Sequence, residues 1–153
     1  MSEPGSIAHD CSREHVAGVY DAGRAGPTLL CVGRLHANEP AGLEAALRVI
    51  DRLERERPDA MLGRVVAIAG NIRAVERSDP DLRSIDRDLN RVWTDALVER
   101  VETAELATLR TEDAEVREIS AALRSIARDA TGPALLVDLH TTSADSPPFV
   151  FIE

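Results

Sequence analysis

Thr28-Leu29-Leu30-Cys31-Val32-Gly33-Arg34-Leu35-His36-Ala37-Asn38-Glu39-Pro40-Ala41-Gly42 joins two kinds of local pattern. An apolar run of strand length passes through a short polar turn into a segment with helical spacing, so a buried strand ends here and a helix begins. Pro40 suits the first helical position, because its fixed φ is already helical and an amide there has no partner to lose. His36 and Glu39 are three residues apart, which lets the turn aim an imidazole nitrogen and a carboxylate oxygen at one point. Zinc takes such ligands at about 2.0–2.2 Å, and catalytic sites use three protein ligands with one position left open. A solvated ion pair or a helix cap uses the same spacing.

Upstream, Glu14 to Tyr20 alternates weakly and reads as an edge strand, followed by the turn-rich Asp21-Ala22-Gly23-Arg24-Ala25-Gly26-Pro27. After Pro40, Leu43, Leu47, Ile50 and Leu53 recur at helical spacing opposite a charged face, and the helix runs to about Arg57 before Pro58. Gly63 to Ala69 is the next buried strand. Strand, helix, strand implies a right-handed parallel crossover. Residues 71–91 show no clear period, and an irregular stretch of that length inside a domain is uncommon unless it is functional or disordered. Trp93, Leu97, Val101 and Ala104 suggest one helix, and Val116, Ile119, Leu123 and Ile126 a second, with a break near Thr111. Ala134-Leu135-Leu136-Val137-Asp138-Leu139 reads as another buried strand closing on His140, and Phe149-Val150-Phe151-Ile152 as a further one. Open α/β sheets hold their ligands outside the carboxyl ends of the strands, so His36, Glu39 and His140 can meet there.

Four segments taken in order carry a resemblance: His36-Ala37-Asn38-Glu39, Gly70-Asn71-Ile72-Arg73-Ala74, Arg83-Ser84-Ile85-Asp86-Arg87-Asp88-Leu89-Asn90-Arg91, and Asp138-Leu139-His140-Thr141-Thr142. Together they resemble the succinylglutamate desuccinylase/aspartoacylase family, relatives of the zinc carboxypeptidases. Ala37 stands where the family pattern has glycine, and Ile72 where it has proline. The resemblance implies an α/β fold with a mixed, largely parallel sheet flanked by helices, truncated at the C-terminus. It implies one zinc per chain held by His36, Glu39 and His140, a catalytic charge from Arg83, and carboxylate binding by Asn90 and Arg91. The implied activity is hydrolysis of an amide in an N-acyl amino acid or a similar carboxylate-bearing molecule. The family's general-base glutamate lies some tens of residues past the third ligand, beyond Glu153, so this chain is expected to lack it.

Other roles stay open. Asp138 is two residues from His140 on a strand, on the same face, and can orient that imidazole or simply pair within the fold. Asp88 has the same two readings. Arg87 is expected to be a surface ion-pair partner, Thr141 and Thr142 to cap the strand end, and His9 and His15 to be exposed and idle.

The 153 residues fit one domain, with 1–13 expected to be disordered and 14–153 a zinc-binding α/β domain. All 18 basic residues are arginine against 27 acids, and the net charge of −9 argues against nucleic acid or an anionic membrane as a partner. A small carboxylate-bearing amide is the expected partner, with homo-oligomerisation left open. No apolar run reaches the roughly 18–20 residues of a membrane span, and no secretory signal is visible, so a cytoplasmic location is expected. Cys11 and Cys31 are isolated, without metal or disulfide spacing, and Cys31 reads as a buried strand residue. The alternatives to a zinc amidohydrolase are a non-catalytic metal-binding module, a carboxypeptidase-type peptidase, and a metal-free α/β domain.

Overall fold

The computed structural model describes residues 15–56, 61–142, 145 and 147–151. The expectations for residues 1–13 and for His9 lie outside the described residues. Four strands, β1 (Val16–Asp21), β2 (Thr28–Gly33), β3 (Arg64–Ala69) and β4 (Ala134–Leu139), form one sheet in the order β1-β3-β2-β4. β2 pairs parallel with β3 on one side and with β4 on the other, while β1 runs antiparallel to β3 at the edge. The sheet is therefore mixed and largely parallel, as expected.

The helices separate by face. On β2 and β3, Cys31, Val65 and Ala67 pack with Ala46 and Ile50 of α1 (Ala41–Glu56). The alternate positions Leu30, Val32, Val66 and Ile68 pack on the other side with Leu97 and Val101 of α3 (Asp95–Thr103) and Val116 and Ile119 of α4 (Thr111–Arg128). The period of two along each strand thus makes two apolar layers from a single sheet.

The chain crosses from β2 to β3 through α1, then returns from β3 to β4 through α3 and α4, passing back over β2. The two crossovers diverge at the carboxyl end of β2, which opens the crevice where such sheets bind ligands. Gly33 pairs with Leu139 in register, so the loops leaving β2 and β4 emerge side by side.

Three expectations need correction. Residues 71–91 contain regular structure: a one-turn helix α2 (Ile72–Val75) and a single 3-10 turn at Leu89–Arg91. Asn71 caps α2 by accepting the Ala74 amide, and the Ile72 amide donates to Gly70, a bond proline could not make. β4 is an edge strand among the described residues, with Leu135 63% and Leu136 53% exposed, because β2 alone pairs with it. Its continuous apolar run signals a strand without revealing how many neighbours that strand has. Phe149, Val150 and Phe151 lie outside any strand and are exposed, and Ile152 is outside the described residues.

Close approach at the start of α1 brings the two loops together. A Cβ on Gly42 would stand 2.5 Å from the Leu139 Cβ and 2.8 Å from its carbonyl oxygen. Alanine in a helix ordinarily exceeds glycine in stability by about 0.5–1 kcal/mol. Here forced repacking, which costs about 1–3 kcal/mol, outweighs that gain. Gly42→Ala is therefore expected to destabilise the chain by about 1–2 kcal/mol in urea unfolding, the reverse of its helix propensity.

Candidate metal centre

Beyond β2 the backbone turns sharply at Arg34, whose φ of 65° is left-handed. Non-glycine residues adopt that region at a cost, offset here by bonds from the Asn71 amide to the Arg34 carbonyl and from Arg34 Nε to the Ala37 carbonyl. Among the described residues Ala37 is not one of the positive-φ positions, so alanine fits where the family pattern has glycine. The turn delivers His36 and Glu39 to the crevice floor, both buried. His140 arrives from the end of β4 on the open side.

One carboxylate joins them. Glu39 Oε1 lies 2.9 Å from His36 Nδ1, and Oε2 lies 3.1 Å from His140 Nδ1 and accepts the Thr141 amide at 2.9 Å. Burial by itself would push the Glu39 carboxyl up, but the Thr141 amide and the two imidazoles hold it below the usual carboxylate range. Each ring has a second carboxylate at its far nitrogen, with Asp88 Oδ1 3.0 Å from His36 Nε2 and Asp138 Oδ2 2.8 Å from His140 Nε2. Asp88 is also held low: burial opposes its charge, while His36 and the Asn90 amide favour it.

This donor set fits a divalent metal. A neutral imidazole carries one N–H, and donating it to Asp88 or Asp138 leaves each Nδ1 lone pair facing an oxygen of Glu39. A cation between them would take up both Nδ1 lone pairs together with a Glu39 oxygen. One donor atom from each of His36, Glu39 and His140 lies within 4.8 Å of the others. With the shorter contacts this brackets the roughly 3.3–3.6 Å between neighbouring ligands of tetrahedral zinc. Glu39, Asp88 and Asp138 with Arg83 sum to two negative charges, which a divalent ion would balance.

The 83–91 loop frames the crevice. Arg83 stands 3.5 Å from Glu39 Oε1 and 3.4 Å from Asp88 Oδ2 with its side chain about half exposed. The Arg83 carbonyl accepts the Ala37 amide, and Leu89 inserts fully into the core. Asn90 is half-buried and Arg91 exposed in the 3-10 turn that Asp88 caps. Arg87 turns toward Asp113, 3.2 Å away, rather than to the neighbouring surface acids.

A second group, His15, Glu115 and Glu118, also has donor atoms close enough for a metal. It corrects the expectation for His15, which is fully buried. His15 Nδ1 donates to the Ala69 carbonyl, and Nε2 lies 3.1 Å from Glu115 Oε2 and 3.3 Å from Glu118 Oε2. Arg73 grips Glu118 through both terminal guanidinium nitrogens at 2.7 Å. Burial would lower the imidazole, but the two glutamates raise it to about 9. Protonated His15 and Arg73 balance Glu115 and Glu118, so this cluster closes without a metal.

His15, Arg73 and the buried acids of α4 were not singled out in the sequence as partners. A signal existed for Glu112, which lies four residues before Val116 and seven before Ile119, in line with the apolar stripe of α4.

The model of the family described as the succinylglutamate desuccinylase/aspartoacylase catalytic domain matches residues 25–152. The crystal structure of a succinylglutamate desuccinylase from Chromobacterium violaceum is similar, with 18% identity and a TM-score of 0.55 over 92% of this chain and 46% of that one. This likeness shows a shared fold, and the chain spans less than half the length of that enzyme. No curated protein matches. Among the described residues no helix is long and apolar enough to cross a membrane.

The His15 cluster predicts a two-sided pH profile. An imidazole raised from 6.5 to about 9 contributes stability that is complete below pH 6.5 and lost as pH rises through 9. Glu118, lowered from 4.5 to about 2 because His15 and Arg73 outweigh its burial, contributes above pH 4.5 and loses that as pH falls toward 2. Urea midpoints should therefore be highest near pH 5–6.5. His15→Gln should flatten the alkaline limb, which carries on the order of 3 kcal/mol.

Proposed function

Because the chain belongs to the succinylglutamate desuccinylase/aspartoacylase catalytic-domain family, we propose that it forms the metal centre of a zinc-dependent deacylase. Its substrate is an N-acyl amino acid or a similar small amide that carries a carboxylate. The observation that carries this reading is the Glu39 carboxylate set between two imidazoles, each backed by a second carboxylate.

His36, Glu39 and His140 hold one zinc. The chemistry such an ion supplies is activation of water and polarisation of a carbonyl. Asp88 and Asp138 fix the proton of each imidazole on Nε2 and leave Nδ1 for the ion, as carboxylates behind metal-bound histidines do. Arg83 places a fixed positive charge beside the centre, where the oxygen of a tetrahedral intermediate gathers negative charge. Its side chain is half exposed, so it can exchange its ion pairs with Glu39 and Asp88 for the substrate. Asn90 and Arg91 offer an amide and a planar guanidinium for the substrate's carboxylate, a pairing that two parallel hydrogen bonds make specific. In a protein of net charge −9 these arginines give an acidic substrate a local target. The exposed side at His140 and Thr141 is the route of entry. Neither nucleic acid nor a membrane surface belongs to this reading.

A second reading is a metal-binding module without turnover of its own. Hydrolysis of acetyl- or succinyl-amino acids by the 153-residue chain with zinc added decides between the two. Peptides assayed alongside separate a deacylase from a carboxypeptidase-type peptidase.

Metal analysis of the purified protein is expected to give one zinc per chain, and His36→Ala and His140→Ala to abolish it. Asp88→Asn should weaken zinc roughly 10–100-fold with the fold retained. Undiminished zinc in both histidine variants would end the proposal.

A further inference from the structure

Glu112 touches none of the candidate ligands, yet it is fully buried in the first turn of α4 and its carboxylate is saturated. Oε1 accepts the Ile85 amide at 2.7 Å and Asn71 Nδ2 at 3.0 Å, and Oε2 accepts the Asp86 amide at 2.9 Å and the Arg87 amide at 3.2 Å. Three successive backbone amides thus converge on one carboxylate. The clamp is reciprocal, since Asp86 Oδ2 accepts the Thr111 amide at 2.8 Å at the start of α4.

What this clamp holds is the segment immediately before Asp88. Asp88 meets His36 Nε2, and Arg83, two residues before the clamped amides, reaches both Asp88 and Glu39. The loop has further anchors in Leu89 in the core, the bond from the Ala37 amide to the Arg83 carbonyl, and the Arg87 guanidinium 3.2 Å from Asp113. None of these engages the backbone amides of 85–87.

We infer that Glu112 is a positioning residue for the candidate metal centre: its carboxylate sets the backbone of residues 85–87 and so the bond from His36 to Asp88. The inference rests on the metal reading for its effect on affinity, but not for its effect on that bond. Glu112 and Glu118 share a helix, burial and a multiply bonded carboxylate, yet Glu118 meets His15 and Arg73 and none of the loop amides. A purely structural role would make the two equivalent.

Glu112→Gln keeps the shape but turns an NH2 group toward amides that are themselves donors, and Glu118→Gln is the control. In metal-free wild-type protein the His36 Nε2 proton should appear by NMR as a slowly exchanging, downfield imidazole resonance. It should vanish in E112Q and persist in E118Q. With Co²⁺ as probe, E112Q should bind roughly 10–100-fold more weakly with an altered visible spectrum, and E118Q should match wild type in both. Should E112Q fail to fold, Asp86→Ala at an exposed position opens the same clamp from the other side and should move the same signals.

Absence of the proton in wild type, its persistence in E112Q, or unchanged Co²⁺ affinity and spectrum in E112Q would each overturn the inference. A wild-type chain that binds no Co²⁺ while its His36 proton still depends on Glu112 would instead remove the metal function and leave the positioning role standing.

Discussion

The carboxylate of Glu39, shared between His36 and His140, is the contact on which the arrangement of the crevice depends. It brings together the ends of two strands more than a hundred residues apart in the chain, at 2.9 and 3.1 Å. Parallel pairing of β2 with β4 in register places the loops next to each other, and the absence of a side chain at Gly42 lets α1 begin against Leu139. The backbone turn at Arg34 then directs the imidazole and the carboxylate into the same space. A buried carboxylate without such partners would be strongly disfavoured. The site and the local fold therefore require each other.

Charge separates the two polar clusters more clearly than distance does. Both combine histidine with carboxylates at comparable spacing. Around His15 a guanidinium and a protonated imidazole neutralise two glutamates, so the cluster ties β1 and α2 to α4 as a closed ion network. Around His36 the carboxylates outnumber the available cation, and that imbalance is what makes a divalent ion fit. Burying charges is costly unless each is paired, and the two clusters meet this requirement in different ways.

The acid-rich composition has the same logic. The first half of α4 turns Glu112, Asp113, Glu115 and Glu118 inward, where they meet loop amides, Arg87, Arg100, Arg73 and His15. The helix is at once a wall of the apolar layer and the polar support of the 83–91 loop. Its acids hold the parts of the family motif that have no regular structure of their own.

Six of the regular elements and the family resemblance were legible in the sequence. Apolar runs of strand length, helical spacing after Pro40 and the ordered motifs from His36 to Thr142 are local patterns, and β2, α1, β3, α3, α4 and β4 follow from them. It also named His36, Glu39, His140, Arg83, Asp88 and Asp138, the residues the fold gathers at one crevice. The edge position of β4, the burial of His15 and the inward-facing acids of α4 emerge from the packed fold alone. Those outcomes depend on which strand or helix comes to lie opposite. An apolar run cannot report its number of neighbours, and a glutamate in a first helical turn suits solvent and a ring of backbone amides equally well. The physical reason is that burial and partner choice are pairwise properties of distant segments, whereas periodicity belongs to one segment alone.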